Sequence, residues 1–189
     1  MTRRRVPVPA RLTPPTIALV CAFTCAFAQP AAAEADVSPI QRVRSTTAMI
    51  STVIEQISER SATFRRLVET INASDGIVYV EEGQCGRGVS ACLVTVKVAG
   101  PNRLVWVWVD IRKVDAALMG LIGHELRHTI EVLSDPMVTN GHAMSNFYQR
   151  QGWRSSEGRF ETQAAIEAGE AVRAEVLKYR PRPEARWPG

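Results

Sequence analysis

Between Leu118 and Leu133 the chain carries a helical pattern with no proline, and this stretch constrains the fold more than any other. At about 100° per residue, Ile122, Leu126, Ile130 and Leu133 share one stripe, while His124 and His128 fall on the opposite side. Such a helix buries its apolar stripe in a core and presents polar groups from its other face. Ser134-Asp135-Pro136 ends it, because proline lacks a donor and restricts the residue before it.

Within this helix stands His124-Glu125-Leu126-Arg127-His128. Residues i and i+4 lie on one face, so both imidazoles can reach the same metal ion. Glu125 sits about 60° further round than His128, where it can reach a water on that metal without competing as a ligand. Zinc held this way acidifies water to a pKa of about 7, and Glu125 can take the proton as a carbonyl is attacked. The alternative is a helix with two surface histidines and a chance glutamate. Arg127 is set to point to solvent or to an acidic partner.

A closed site needs a third protein ligand and one open position. Glu161 is the best candidate, since a last helix expected from Arg159 to Leu177 places Ala164, Ala165, Ala168 and Val172 near it on one small apolar face. A buried carboxylate there needs a metal or a cation; otherwise Glu161 is a charge meeting the helix dipole. Glu131 shares the face of His124 and His128, but one continuous helix can hardly present three ligands tetrahedrally. It reads better as a residue orienting a ligand histidine or pairing with an arginine. His142, after Asn140-Gly141 on an expected loop, is a possible ligand or transition-state donor, and otherwise a surface histidine. Tyr148 is a possible oxyanion donor or an ordinary core tyrosine.

The first thirty-odd residues read as an export leader spanning 1–33, with Arg3-Arg4-Arg5 and Arg11, an apolar run from Ile17 to Ala28, and small residues suited to cleavage. The apolar run is too short for a comfortable membrane span, and no later stretch qualifies. Of the 23 basic residues four belong to the leader, against none of the 19 acidic ones, so the remainder is nearly neutral. The basic balance therefore gives no support for a nucleic-acid partner. Residues 34–180 suffice for a single domain, followed by a Pro- and Arg-rich flexible tail, 181–189. Cys85 and Cys92 flank a short loop holding two glycines, and in an oxidising compartment they are expected to pair. A second metal site there would lack further Cys or His ligands.

The rest reads as α+β. Met49, Ile50, Val53, Ile54 and Ile57 mark an amphipathic helix between Ile40 and Ser58, and Ser61 caps a second one carrying Phe64, Leu67, Val68 and Ile71. Ile77–Glu81, Leu93–Val98 and Leu104–Asp110 are expected to form a short antiparallel three-stranded sheet packed with these helices. In the third strand Val105, Val107 and Val109 face one way. Trp106, Trp108 and Asp110 face the other, where the tryptophans either wall a substrate groove or pack beneath helices or a loop. Residues 137–158 read as a loop with a short helix carrying Phe147 and Tyr148.

His124-Glu125-Leu126-Arg127-His128 followed by Phe160-Glu161-Thr162-Gln163-Ala164-Ala165 resembles the gluzincin branch of zincin metallopeptidases. From Ser45 to Leu177 the layout is also similar to small exported bacterial proteins of that kind. The resemblance implies a zincin-like domain with an HExxH metal helix and a C-terminal glutamate-bearing helix. It further implies Zn2+ held by His124, His128 and Glu161, and Glu125 as general base. The expectation is an exported zinc-dependent hydrolase, periplasmic or secreted, acting on a peptide or protein. The alternative is a non-catalytic, zinc-stabilised exported domain that binds a protein or cell-envelope partner.

Overall fold

The computed structural model describes residues 41–86, 88–154 and 160–181. The expected leader at 1–33 and the tail beyond residue 181 lie outside them. The described residues belong to one compact unit, Ser38–Gly189, and none of their helices is long and apolar enough to cross a membrane. In chain order the elements are β1 (Val43–Arg44), α1 (Ala48–Arg60), α2 (Ala62–Asn72), β2 (Gly76–Glu82), β3 (Ala91–Ala99) and β4 (Asn102–Val109). They are followed by α3 (Ala116–Ser134), α4 (Gly141–Gln151), β5 (Trp153–Arg154), β6 (Phe160–Glu161) and α5 (Gln163–Lys178).

The class is α+β, but the sheet differs from expectation. It is mixed and four-stranded, in the order β1-β2-β4-β3, with a separate β5-β6 pair. β4 pairs in parallel with β2 and antiparallel with β3, so β2 and β3 are not neighbours. The reason is burial. Val105, Val107 and Val109 of β4 are wholly inaccessible, which suits a central strand, whereas β3 ends in exposed Lys97, Val98 and Ala99 and takes the edge. The Cys85–Cys92 disulfide forms in the connection that carries the chain past the position of β4, and Gly86 and Gly88 there adopt the positive φ that glycine tolerates.

The first helix also starts later than its periodicity allowed, at Ala48. Val43 and Arg44 are instead drawn into parallel pairing with Val78 and Tyr79. Ser61 caps α2 as expected, its Oγ accepting from the Phe64 amide. The same hydroxyl donates to Glu175 of α5 at 2.6 Å, and Glu175 accepts from the amide and hydroxyl of Thr63. A carboxylate from the last helix thus sits at the positive end of the second.

Helices α1, α2 and α3 cover the valine face of the sheet, and α5 lies against α3. Helix α3 is therefore enclosed, not merely half-buried. α3 begins where Asp115 accepts from the amides of Ala117 and Leu118. Its contact with α5 is close because glycines meet there: a Cβ on Gly120 would stand 2.8 Å from the Gly169 carbonyl, and one on Gly169 would stand 3.0 Å from Cβ of His124. At the far end of α3, buried Arg103 of β4 grips Asp75 with two bonds of 2.8 Å. It also donates to the carbonyls of Val132 and Leu133, which the last turn of a helix cannot satisfy from within, and to those of Asp135 and Val138 just beyond it.

The outer face of the sheet is aromatic. Trp106 stacks on Tyr79 at 5.7 Å with Lys97 over its ring. A Cβ on Gly83 would meet the Trp108 ring at 2.6 Å, so the loop lies directly against it. Neither Trp106 nor Trp108 lines the cavity described below, and for Trp108 the expected packing beneath a loop is what is found.

Candidate metal centre

His124 and His128 lie one turn apart on α3, their rings 4.7 Å apart and nearly perpendicular. Glu161 reaches them from a different element than expected. It is not helical: Thr162, in an extended conformation, caps α5 with its hydroxyl accepting from the Ala165 amide, so the helix begins only at Gln163. Glu161 belongs to β6, paired with Trp153. It nonetheless arrives on the correct side, because α5 docks its stripe of Ala165, Gly169, Val172 and Val176 inward and the chain entering α5 runs past the histidines.

Glu161 Oε2 lies 3.2 Å from His124 Nε2 and 3.9 Å from His128 Nε2. One donor atom from each of the three residues falls within 4.8 Å of the others, so this group could hold a metal ion. Bonds of about 2.0–2.1 Å in tetrahedral geometry place ligand atoms about 3.3 Å apart, and the observed separations bracket that spacing. All three side chains are mostly buried.

The site opens into a cavity of about 300 Å³ between β3, α3, α4 and β6. Glu125 lines it beside the histidines, itself buried. Burial pushes its carboxyl above the ordinary value, against the opposing pull of His128, His124 and a hydrogen bond from the Leu93 backbone. The β3 ladder slips by one residue between Leu93 and Thr95, a bulge next to the strand's contact with Glu125. Burial lowers the affinity of His124 for a proton, but the Glu161 hydrogen bond and the charges of Glu125, Glu161 and Glu131 outweigh it and leave the pKa raised.

Glu131 does what its position on the wheel allowed, and more. Its Oε2 accepts from His128 Nδ1 at 2.9 Å, which leaves Nε2 turned to Glu161. Arg127 stands 3.6 Å from its Oε1. Of the other candidates, only Tyr148 reaches the cavity. His142 is exposed in the first turn of α4, not on a loop, and contacts Asn146. Tyr148 lines the cavity, but its hydroxyl donates to the His128 carbonyl at 2.8 Å, and burial raises its pKa. It is a core tyrosine.

Other contributions escape a reading of the sequence: the β3 segment Ala91–Leu93, Met144, Ser145 and Phe160, which complete the cavity, and the hydroxyl of Thr162, which donates to Glu131 at 2.7 Å. A signal for the last was present, since a threonine before a run of helix formers marks a cap and would have moved the helix start past Glu161. The chain matches no protein-family model, no curated protein and no solved structure.

Proposed function

We propose that this protein is an exported metal-dependent hydrolase of the zincin type, most simply a peptidase, with zinc at His124, His128 and Glu161 and Glu125 as general base. The observation that carries the reading is the meeting of these three side chains from separate stretches of chain at the wall of a cavity that also contains Glu125. Two imidazoles and a carboxylate with room for a further ligand are the donor set of catalytic zinc. Zinc bound there supplies Lewis acidity, bringing water to a pKa of about 7 and polarising a carbonyl.

The chain's own groups supply the rest. Hydrolysis adds the hydroxyl of water to the carbonyl carbon, breaks the C–N bond and delivers a proton to the departing amine. Glu125, which lines the same cavity, is the group proposed to carry that proton as general base. The edge of β3 borders the cavity at Ala91–Leu93, which suits an extended peptide bound by backbone hydrogen bonds.

Metal analysis of purified protein followed by a peptide-library digest tests the proposal. Glu125→Gln is expected to keep stoichiometric zinc and lose turnover; wild-type activity in that variant refutes the mechanism. One observation favours a non-catalytic, zinc-stabilised binding domain instead: His142 does not line the cavity and the Tyr148 hydroxyl donates to a backbone carbonyl, so neither of these candidates offers a donor there. That reading predicts zinc and a loss of stability on chelation, with no peptide cleaved.

A further inference from the structure

Glu161 occupies a two-residue strand rather than a helix, so its placement within bonding reach of α3 needs a separate cause. β6 pairs only with the equally short β5 among the described residues. The next residue, Thr162, makes two bonds with one hydroxyl. It accepts from the Ala165 amide at 3.2 Å, capping α5, and donates to Glu131 Oε1 at 2.7 Å. Glu131 is therefore bonded at both oxygens, to Thr162 through Oε1 and to His128 through Oε2 at 2.9 Å.

We infer that Thr162 is a positioning residue that latches the strand carrying Glu161 to His128 through Glu131, setting the spacing of the three metal-binding side chains. The inference rests on the metal-centre reading above. A chain of two hydrogen bonds links the backbone next to one ligand to the far nitrogen of another, and the buried carboxylate in the middle has directional partners on both sides. Contacts of this kind fix ring orientation and typically change metal affinity by about 10–100-fold when removed. Glu131 supports the histidine from the same helix, three residues on, and the Thr162 hydroxyl carries that support across to the segment holding Glu161.

The two roles of the hydroxyl can be separated by substitution. Thr162→Ser keeps both donor and cap; Thr162→Val loses both; Thr162→Asp keeps an oxygen that can cap α5 but sets a negative charge against Glu131. Zinc affinity is read by competition with a chromophoric chelator, and apo-protein Tm by circular dichroism. The expected result is wild-type affinity in the serine variant and a Kd raised at least 10-fold in both the valine and aspartate variants. The apo Tm should fall for valine and be recovered at least in part for aspartate. A valine or aspartate variant that binds zinc within twofold of wild type overturns the latch while leaving the metal centre standing. Wild-type protein that takes up no zinc overturns the metal centre itself, and the latch with it.

Discussion

Replacing Arg103 with methionine removes the fork that holds the end of α3 to the sheet while keeping a side chain of similar reach. Not all six of its hydrogen bonds count equally. Asp75 is 43% exposed, so water replaces that partner and the ion pair itself is worth about 1 kcal/mol or less. The Val132 and Asp135 carbonyls keep backbone donors in Asp135 and Val138. The Leu133 and Val138 carbonyls, held at 2.7 and 3.3 Å, lose a charged donor inside the protein, at about 1–3 kcal/mol each. The sum is about 2–7 kcal/mol, a large fraction of the roughly 5–15 kcal/mol that stabilises a domain. Urea denaturation followed by circular dichroism, with a chelator present so that bound metal does not mask the change, should show this loss for Arg103→Met and less than about 1 kcal/mol for Asp75→Asn. If Arg103→Met costs under 1 kcal/mol, or if the two variants cost the same, the fork does not act as a helix cap.

Gly169→Ala adds a methyl 3.0 Å from Cβ of His124 and 3.1 Å from the Gly120 carbonyl; the gain in helix propensity of about 1 kcal/mol offsets part of an overpacking cost of about 1–3 kcal/mol. Stability should change little, but α5 must move away from His124, so zinc affinity in chelator competition is expected to fall about 10-fold, and unchanged affinity would show that the glycine contact does not set the site. Acidification probes the Arg103 pair separately. Arg103 hydrogen bonding holds Asp75 below its ordinary value of 3.8, so its stabilisation is present above that value and is lost as pH falls through the depressed one. The Tm of Asp75→Asn should therefore fall less steeply below pH 3.8 than that of wild type, and parallel curves would remove Asp75 from the acid response.

Legibility from sequence followed the range of the interactions involved. The caps at Ser61 and the proline stop after Ser134 are local, and both are where the residues place them. The link between Glu131 and His128 needed only the geometry of one helix. Strand positions were legible from alternation in Val105, Val107 and Val109, but strand order was not, because β2-β4 pairing depends on which strand buries both neighbours. Glu161 does come to the histidines, but from a strand and not from the expected helix. Its spacing from Ala165 and Val172 continued the helical stripe, yet the Thr162 cap ends the helix before it.

By itself the sequence determined the long helix and the pairing of two imidazoles with a glutamate on it, since a 3.6-residue period and the absence of proline act within a few turns. It also determined that Cys85 and Cys92 are near enough to join. Only the tertiary structure decided that Glu161 meets the histidines, that Tyr148 turns its hydroxyl to a backbone carbonyl, and that Arg103 and Glu175 cap helices from across the chain. Those contacts join residues far apart in the chain, and which of many polar groups meet is settled by how the helices and sheet bury their apolar faces, not by any local preference of the residues themselves.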